Sequence, residues 1–150
     1  MSGLTNDFLE KITSKLIPNF LGVYSANEVV SIKNNKSFSV IFNTGRLGTA
    51  GIHFVSLFVT KNILYYFDSF GDQHIQQDIA KFIHKLNRKC VMLCEPIQDL
   101  SSNFCGLYAL AFLLWKKKNK SLKTFYSLFS ESNLKLNDKI VTDYILNEIN

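Results

Sequence analysis

The chain has 150 residues, of which 47% are hydrophobic and 19% charged, as expected for one globular domain that buries a real core. This composition excludes a disordered or low-complexity protein, and the net charge of +5 permits an acidic partner such as nucleic acid without requiring one. The longest apolar run, residues 104 to 115, is too short to span a bilayer, which takes about 20 residues. The N-terminus shows no signal peptide, so we expect a protein that is not secreted.

The first half of the chain predicts a helix followed by strands. Apolar residues at helical spacing predict a helix over residues 4 to 16, with Thr5 or Asn6 as its N-cap and Pro18 as its stop. Residues 38 to 44 read as a buried strand, and a glycine-bearing loop follows it.

A β-hairpin is predicted next. Two β-rich runs, residues 52 to 60 and 63 to 70, are separated only by Lys61 and Asn62, which is the length of a tight hairpin loop. That loop places His53 opposite Phe70 and diagonal to Asp68. Because the side-chain period of a strand is two, the imidazole and the carboxylate project to the same side. A carboxylate in this position can hold an imidazole in one tautomer and stabilise its charged form.

The second half of the chain is mainly helical. An amphipathic helix is predicted over residues 73 to 89, a short buried strand at 90 to 94, and a last helix at 137 to 149. The run at 104 to 115 is apolar all round, which predicts a central helix. Together these elements predict a single α+β domain over residues 1 to 150, with a mixed sheet flanked by helices around one buried helix.

A cysteine stands at the start of this central helix. Cys105 follows the capping residues Ser-Ser-Asn, and the free N–H groups and dipole of a first helical turn favour a thiolate. Gly106 leaves the adjacent backbone open to a substrate carbonyl, and the amide of Gln98 is placed to donate to a developing oxyanion. Taken alone, Cys105 would be a structural core cysteine. The order His53, Asp68, Gln98, Cys105 favours a nucleophile.

Other reactive or charged residues carry weaker signals. Cys90 and Cys94 have no second cysteine pair, so a structural zinc site is not expected. His74 and His84 have no partner pattern and are expected at the surface. The lysine run contains Lys116, Lys117, Lys118 and Lys120; it complements the end of a helix, and contact with nucleic acid is the alternative.

Three blocks of the sequence resemble the catalytic blocks of the adenovirus maturation protease (adenain) family. They read "FNTGRLGTAGIHFVSLF", "YYFDSFG" and "IQDLSSNFCGLYALAFL", and the likeness extends from about residue 4 to residue 116. The resemblance implies a papain-like cysteine peptidase of the clan shared with Ulp/SENP proteases. It implies that His53 is the general base, Asp68 the acid that orients it, Gln98 the oxyanion donor and Cys105 the nucleophile. No cofactor is required, although family members use DNA and an activating peptide, and Cys90 or Cys94 would be the counterpart of the cysteine that links that peptide.

Three features depart from the family pattern. Phe54 stands where Trp commonly follows the catalytic His, and Asp68 stands where adenoviral members carry Glu. Asp followed by Ser is closer to the Ulp/SENP pattern. The chain after the catalytic helix is also shorter than in adenoviral members, which puts the surfaces for DNA and for the activating peptide in doubt.

The sequence therefore predicts a viral cysteine endopeptidase, or one from a virus-derived element, that cleaves capsid and virion precursor proteins through a thioester intermediate. We expect a monomer that acts in the virion and at the assembly site in the host cell, without membrane contact. Two alternatives stay open: a protease that removes SUMO-like or ubiquitin-like modifiers, and a non-catalytic basic binding module.

Overall fold

The computed structural model describes residues 5 to 32, 37 to 45 and 53 to 150. Most of the predicted glycine-bearing loop, the first residue of the predicted N-terminal helix and the first residue of the predicted hairpin lie outside these ranges. No helix within them is both long enough and apolar enough to cross a membrane.

Five strands and five α-helices make up the described chain. The strands are β1 (Phe20–Ser25), β2 (Phe38–Asn43), β3 (Phe54–Val59), β4 (Ile63–Phe67) and β5 (Lys89–Leu93). The helices are α1 (Asn6–Leu16), α2 (Gln77–Leu86), α3 (Cys105–Lys117), α4 (Leu122–Ser127) and α5 (Asn137–Ile149), with a short 3-10 helix (Leu134–Leu136) before the last.

The strands form one mixed sheet in the order β1-β2-β3-β4-β5. The two outer pairs, β1 with β2 and β4 with β5, are parallel, and β3 is antiparallel to both of its neighbours. This is the α+β class that the sequence predicts, with strands and helices mixed along the chain and one sheet at the centre.

Helices cover the sheet on both faces, so the molecule has two cores. One face packs against α1, α3, α4 and α5, and the other against α2. Successive side chains of a strand point to opposite faces of the sheet, which produces this division. In β3, Phe54 belongs to the first core, whereas Val55 and Leu57 belong to the second. Helix α3 is buried almost throughout, from Cys105 to Trp115, as its apolar sequence predicts.

The predicted hairpin register is confirmed. Ser56 pairs with Phe67 and Leu57 with Tyr66, which is the pairing that a loop at Lys61 and Asn62 requires. The strands end earlier than predicted, because β4 stops at Phe67 and the next residues form a turn.

Helix ends depend on local capping. Thr5 is the N-cap of α1, where its hydroxyl accepts a hydrogen bond from the Phe8 N–H at 3.2 Å. The predicted helix at 73 to 89 is shorter in the structure, because the Gln76 side chain caps its start and Asn87 ends it with a left-handed φ of 50°.

The prediction for residues 90 to 94 was partly wrong. A strand is present, but it is the edge of the sheet rather than a buried strand, and Cys90 and Met92 are exposed. An apolar run of five residues does not distinguish a central strand from an edge strand.

Two elements were missed. β1 contains Gly22 at a bulge, with φ 140°, which interrupts the strand pattern. A Cβ atom there would lie 2.5 Å from Oε1 of Glu10, the same oxygen that accepts a hydrogen bond from the Val23 N–H. Helix α4 has only six residues and follows the lysine run, so it carries no extended periodic pattern.

Candidate active site

An imidazole and a carboxylate meet at the open end of the β3–β4 hairpin. His53 directly precedes β3, Asp68 directly follows β4, and His53 Nε2 lies 2.9 Å from Asp68 Oδ1. The two side chains are only 9% and 4% exposed. The same carboxylate oxygen accepts a hydrogen bond from the Phe70 N–H at 2.8 Å, which fixes its position. The ring of Phe70 lies 4.5 Å from the imidazole, as expected for facing residues.

The imidazole also interacts with Cys105. Burial lowers the pKa of His53, but hydrogen bonding to Asp68 and Cys105 and the charges of both groups raise it by more. The net result is a pKa raised from 6.5 to about 9. Because Nε2 is bound to Asp68, Nδ1 is the nitrogen available to the sulfur; it is buried and has no hydrogen-bond partner of ordinary geometry among the described residues. The structure thus brings three of the four predicted site residues together.

Cys105 is the first residue of α3 and is 8% exposed. The predicted capping by the Ser-Ser-Asn segment takes a different form, because the N-cap is Phe104 and no side chain caps the helix itself. Instead, the Ser102 hydroxyl accepts a hydrogen bond from the Phe104 N–H at 3.2 Å, one residue before the helix begins. The sulfur therefore lies at a helix N-terminus, where the dipole and the free N–H groups of the first turn favour negative charge.

Gln98 lies on the loop before α3 and is 1% exposed. Its carbonyl oxygen accepts a hydrogen bond from the Ser69 hydroxyl at 2.6 Å. Its amide nitrogen donates to the backbone oxygen and the hydroxyl of Ser102, at 3.2 and 3.1 Å. The amide is thus held between the end of β4 and the turn that enters α3. Its role as an oxyanion donor stays a prediction.

Comparison with known proteins relates this chain to solved structures by fold and not by sequence. No family model and no curated protein matches the sequence. Among solved structures, the crystal structure of the ASFV pS273R protease is similar with a TM-score of 0.54 and 18% sequence identity. This chain shares its fold. The match covers 78% of this chain but 45% of the protease, so the chain spans less than half of that protein's length.

Two serines that the sequence did not identify as site residues also lie at the candidate site. Ser69 is 1% exposed, and its backbone oxygen accepts hydrogen bonds from the N–H groups of Ile97 and Gln98. Ser102 joins Gln98 to the backbone next to the candidate nucleophile. The sequence signals for them were the Asp-Ser pair at Asp68 and the Ser-Ser-Asn segment before Cys105, which predicted helix capping and no contact with Gln98.

A cavity of about 560 Å³ opens beside the histidine. Its walls come from the residue after β2, the end of the hairpin, the turn after it, the start of α2 and the loop before α3. Residues that line it include Thr44, Tyr66, Phe70, His74 and Leu100. Leu100 is 84% exposed, so a large apolar side chain stands free at the rim of the candidate site.

Cys90, Cys94 and His84 are not among the residues that line this cavity, whereas His74 is. Burial, followed by the charges of Asp68 and Asp72, raises the pKa of Cys94 to about 11, and burial also raises the pKa of Cys90. His74 and His84 are exposed, as predicted. Among the described residues there is no group of three His, Cys, Asp or Glu side chains that could hold a metal ion.

The four lysines proposed to contact nucleic acid all have partners within the fold. Each ammonium lies against an aromatic ring, a carboxylate or a helix-terminal carbonyl. The partners are the Tyr65 and Phe58 rings for Lys116, the Leu16 carbonyl for Lys117, Glu148 for Lys118 and the Trp115 ring for Lys120. The lysine run therefore helps to hold the end of α3 against α1, α5 and the sheet.

Proposed function

We propose that this protein is a cysteine endopeptidase of viral origin or derived from a virus. The observation that carries the proposal is the placement of His53 between the carboxylate of Asp68 and the thiol of Cys105, with a pKa of about 9, at the N-terminus of a buried helix. The fold shared with the ASFV pS273R protease supports it.

The reaction we propose is acyl transfer. The thiolate of Cys105 attacks a peptide carbonyl, the new S–C bond gives a tetrahedral oxyanion, and the C–N bond then breaks. The imidazolium of His53 gives its proton to the departing amine. Water then attacks the thioester while His53 takes a proton from it, and the C–S bond breaks, which releases the acid and restores the thiolate–imidazolium pair. Asp68 keeps the ring in place and stabilises its charged form throughout.

We propose virion precursor proteins as the substrates and the viral assembly site as the place of action. This choice comes from the sequence resemblance to the adenain family. The test is to express wild type and Cys105→Ala, each with candidate structural proteins from the same genome. We expect a processed band with wild type only, since removal of a catalytic nucleophile lowers the rate by about 10³-fold or more. Identical band patterns in the two cultures would refute the substrate assignment.

Removal of a ubiquitin-like or SUMO-like modifier is the second enzymatic candidate. The Asp68-Ser69 pair, which resembles the Ulp/SENP pattern, favours it, and Ser69 also binds the side chain of Gln98. An electrophilic probe with a ubiquitin-like C-terminus separates the candidates: labelling at Cys105 supports the deconjugating activity, and failure of all modifier probes to label an enzyme that cleaves precursors refutes it.

Contact with nucleic acid through Lys116, Lys117, Lys118 and Lys120 is a separate proposal. Since each ammonium already has a partner in the fold, a phosphate would have to replace or share that partner. Phosphate contacts make affinity fall steeply as salt increases. Binding of a short DNA duplex that does not weaken between low and physiological salt would refute this role for the lysines.

A further inference from the structure

A chain of hydrogen bonds connects helix α5 to the candidate active site. Asp138, in the first turn of α5, accepts hydrogen bonds from the hydroxyls of Ser102 and Tyr108, both at 2.8 Å. Ser102 in turn accepts from the Gln98 amide and from the Phe104 N–H. The chain therefore runs from a carboxylate 33 residues beyond Cys105 in sequence to the Gln98 amide and to the residue directly before Cys105.

The direction of each bond in this chain is fixed. An ionised carboxylate only accepts hydrogen bonds, so the hydroxyl proton of Ser102 must point to Asp138. The lone pairs of that hydroxyl are then left for the Gln98 amide and the Phe104 N–H. Because the Gln98 nitrogen must face Ser102, its oxygen faces the Ser69 hydroxyl, and the amide has a single orientation.

The surroundings keep the chain in place. Burial, and then the bond to Asp138, raise the pKa of Tyr108 well above its ordinary value, so this phenol stays protonated and donates. Tyr108 itself is fully buried one turn into α3. Next to Asp138, the buried amide of Asn137 donates to the backbone oxygen of Ile97 at 2.7 Å. The start of α5 thus holds both ends of the loop that carries Gln98.

We propose that Asp138 and Ser102 are positioning residues for catalysis, which act by orienting the Gln98 amide. This inference rests on the proposed function, and it adds a dependence on α5 to it. The partners of the Ser102 hydroxyl are Gln98, Asp138 and the Phe104 N–H, so its effect on the rate passes through the Gln98 amide.

The experiment compares Ser102→Ala with Ser101→Ala on a precursor protein that the wild type cleaves. Ser101 is exposed and its hydroxyl contacts only Asp99 among the described side chains, so it is a matched control one residue away. Ser102→Ala should lower kcat about 10- to 100-fold with KM within about twofold, which is the pattern for a lost transition-state interaction. Ser102→Thr, which keeps a hydroxyl, should restore most of kcat, and Ser101→Ala should match wild type.

A second readout separates positioning from general loss of structure. Alkylation of Cys105 by iodoacetamide, followed by peptide mass spectrometry in a Cys90→Ser background, needs the thiolate but no oxyanion donor. We expect its rate in Ser102→Ala to stay within about twofold of wild type while kcat falls. Asp138→Asn is nearly isosteric and retains an acceptor oxygen. It should also lower kcat, by a smaller factor, with little change in the alkylation rate of Cys105. This variant replaces Ser102→Ala in the comparison if Ser102→Ala does not fold.

Each result decides a different claim. If wild type cleaves the precursor and both Ser102→Ala and Asp138→Asn keep the wild-type kcat, the positioning role is wrong and the proposed function stands. If alkylation falls in parallel with kcat, the chain supports the thiol and not the Gln98 amide, and the inference is overturned. If wild type cleaves no precursor and its Cys105 alkylates like an ordinary thiol, the proposed function fails and this inference fails with it.

Discussion

The chemistry of His53 depends on the residues that surround its two ring nitrogens. One nitrogen is bound to the carboxylate of Asp68 and the other is available to the sulfur of Cys105, so the protonated ring is stabilised from both sides. These contributions outweigh the burial of the ring, which alone would favour the neutral form. An imidazolium that persists to about pH 9 is the partner that a thiolate requires.

Asp68→Asn tests this balance directly. The change removes the carboxylate charge, so we expect the pKa of His53 to fall and the alkaline limit of kcat/KM, near pH 9 in wild type, to move to lower pH. We expect kcat/KM at neutral pH to fall by about 10²-fold or more. Asp72→Asn is the control, because that carboxylate is exposed and directly follows the same turn. The pH dependence of kcat/KM is the measurement, and superimposable profiles for Asp68→Asn and wild type would contradict the assignment.

The same pKa predicts how stability depends on pH. Because the folded-state pKa of His53 is raised above the unfolded value of 6.5, its contribution is complete below pH 6.5 and is lost as pH rises through about 9. Wild type should therefore lose stability between these limits. In Asp68→Asn this loss should be smaller, and urea denaturation at a series of pH values measures the difference.

At the scale of elements, the site depends on a close contact between two turns. Gly71 ends the turn that begins at Asp68, with φ 81°, and a Cβ atom there would lie 2.8 Å from the backbone nitrogen of Pro96. Pro96 stands directly before the segment that pairs with Ser69 and carries Gln98. Close approach of these two turns is what places Gln98 next to the end of β4.

Gly71→Ala should therefore weaken both the fold and the site. A left-handed φ and a backbone clash cost about 1–3 kcal/mol together, and the forced shift separates Ser69 from Gln98. Gly22→Ala is the matched control, since Gly22 also has a positive φ and a close neighbour but lies in β1, away from the site. Both variants should lose stability in urea, whereas only Gly71→Ala should lower kcat/KM of the folded enzyme. Equal losses of kcat/KM would contradict this role of the turn.

The fold and the placement of three candidate site residues were predictable because local patterns determine them. The two-residue loop set the hairpin register, and that register placed His53 beside Asp68. The apolar run after Cys105 identified the buried helix. The edge position of β5 and the bonds of Gln98 to Ser69 and Ser102 were not predictable, because they depend on how segments distant in sequence pack together.

At the scale of the whole molecule, α3 connects the site to the core. Phe112 stacks on Phe67 of β4, with ring centroids 4.7 Å apart, and meets Phe125 of α4 at 6.0 Å. These three rings join the sheet to two helices. A helix held in this way keeps the candidate nucleophile, its first residue, in a fixed place relative to the hairpin that carries His53.

Phe112→Ala should strongly lower the free energy of unfolding without changing the reactivity of Cys105 in the folded state. Loss of a fully buried Phe costs about 3–5 kcal/mol, against a total stability of about 5–15 kcal/mol for an ordinary domain. Phe8→Ala, at a position that is 51% exposed on α1, should cost less than about 1 kcal/mol. Urea denaturation gives these values, and the alkylation rate of Cys105 below the unfolding transition should be the same in both variants and wild type. Because the aromatic cluster lies two helical turns from Cys105, a slower alkylation in folded Phe112→Ala would show instead that core packing sets the reactivity of the thiol.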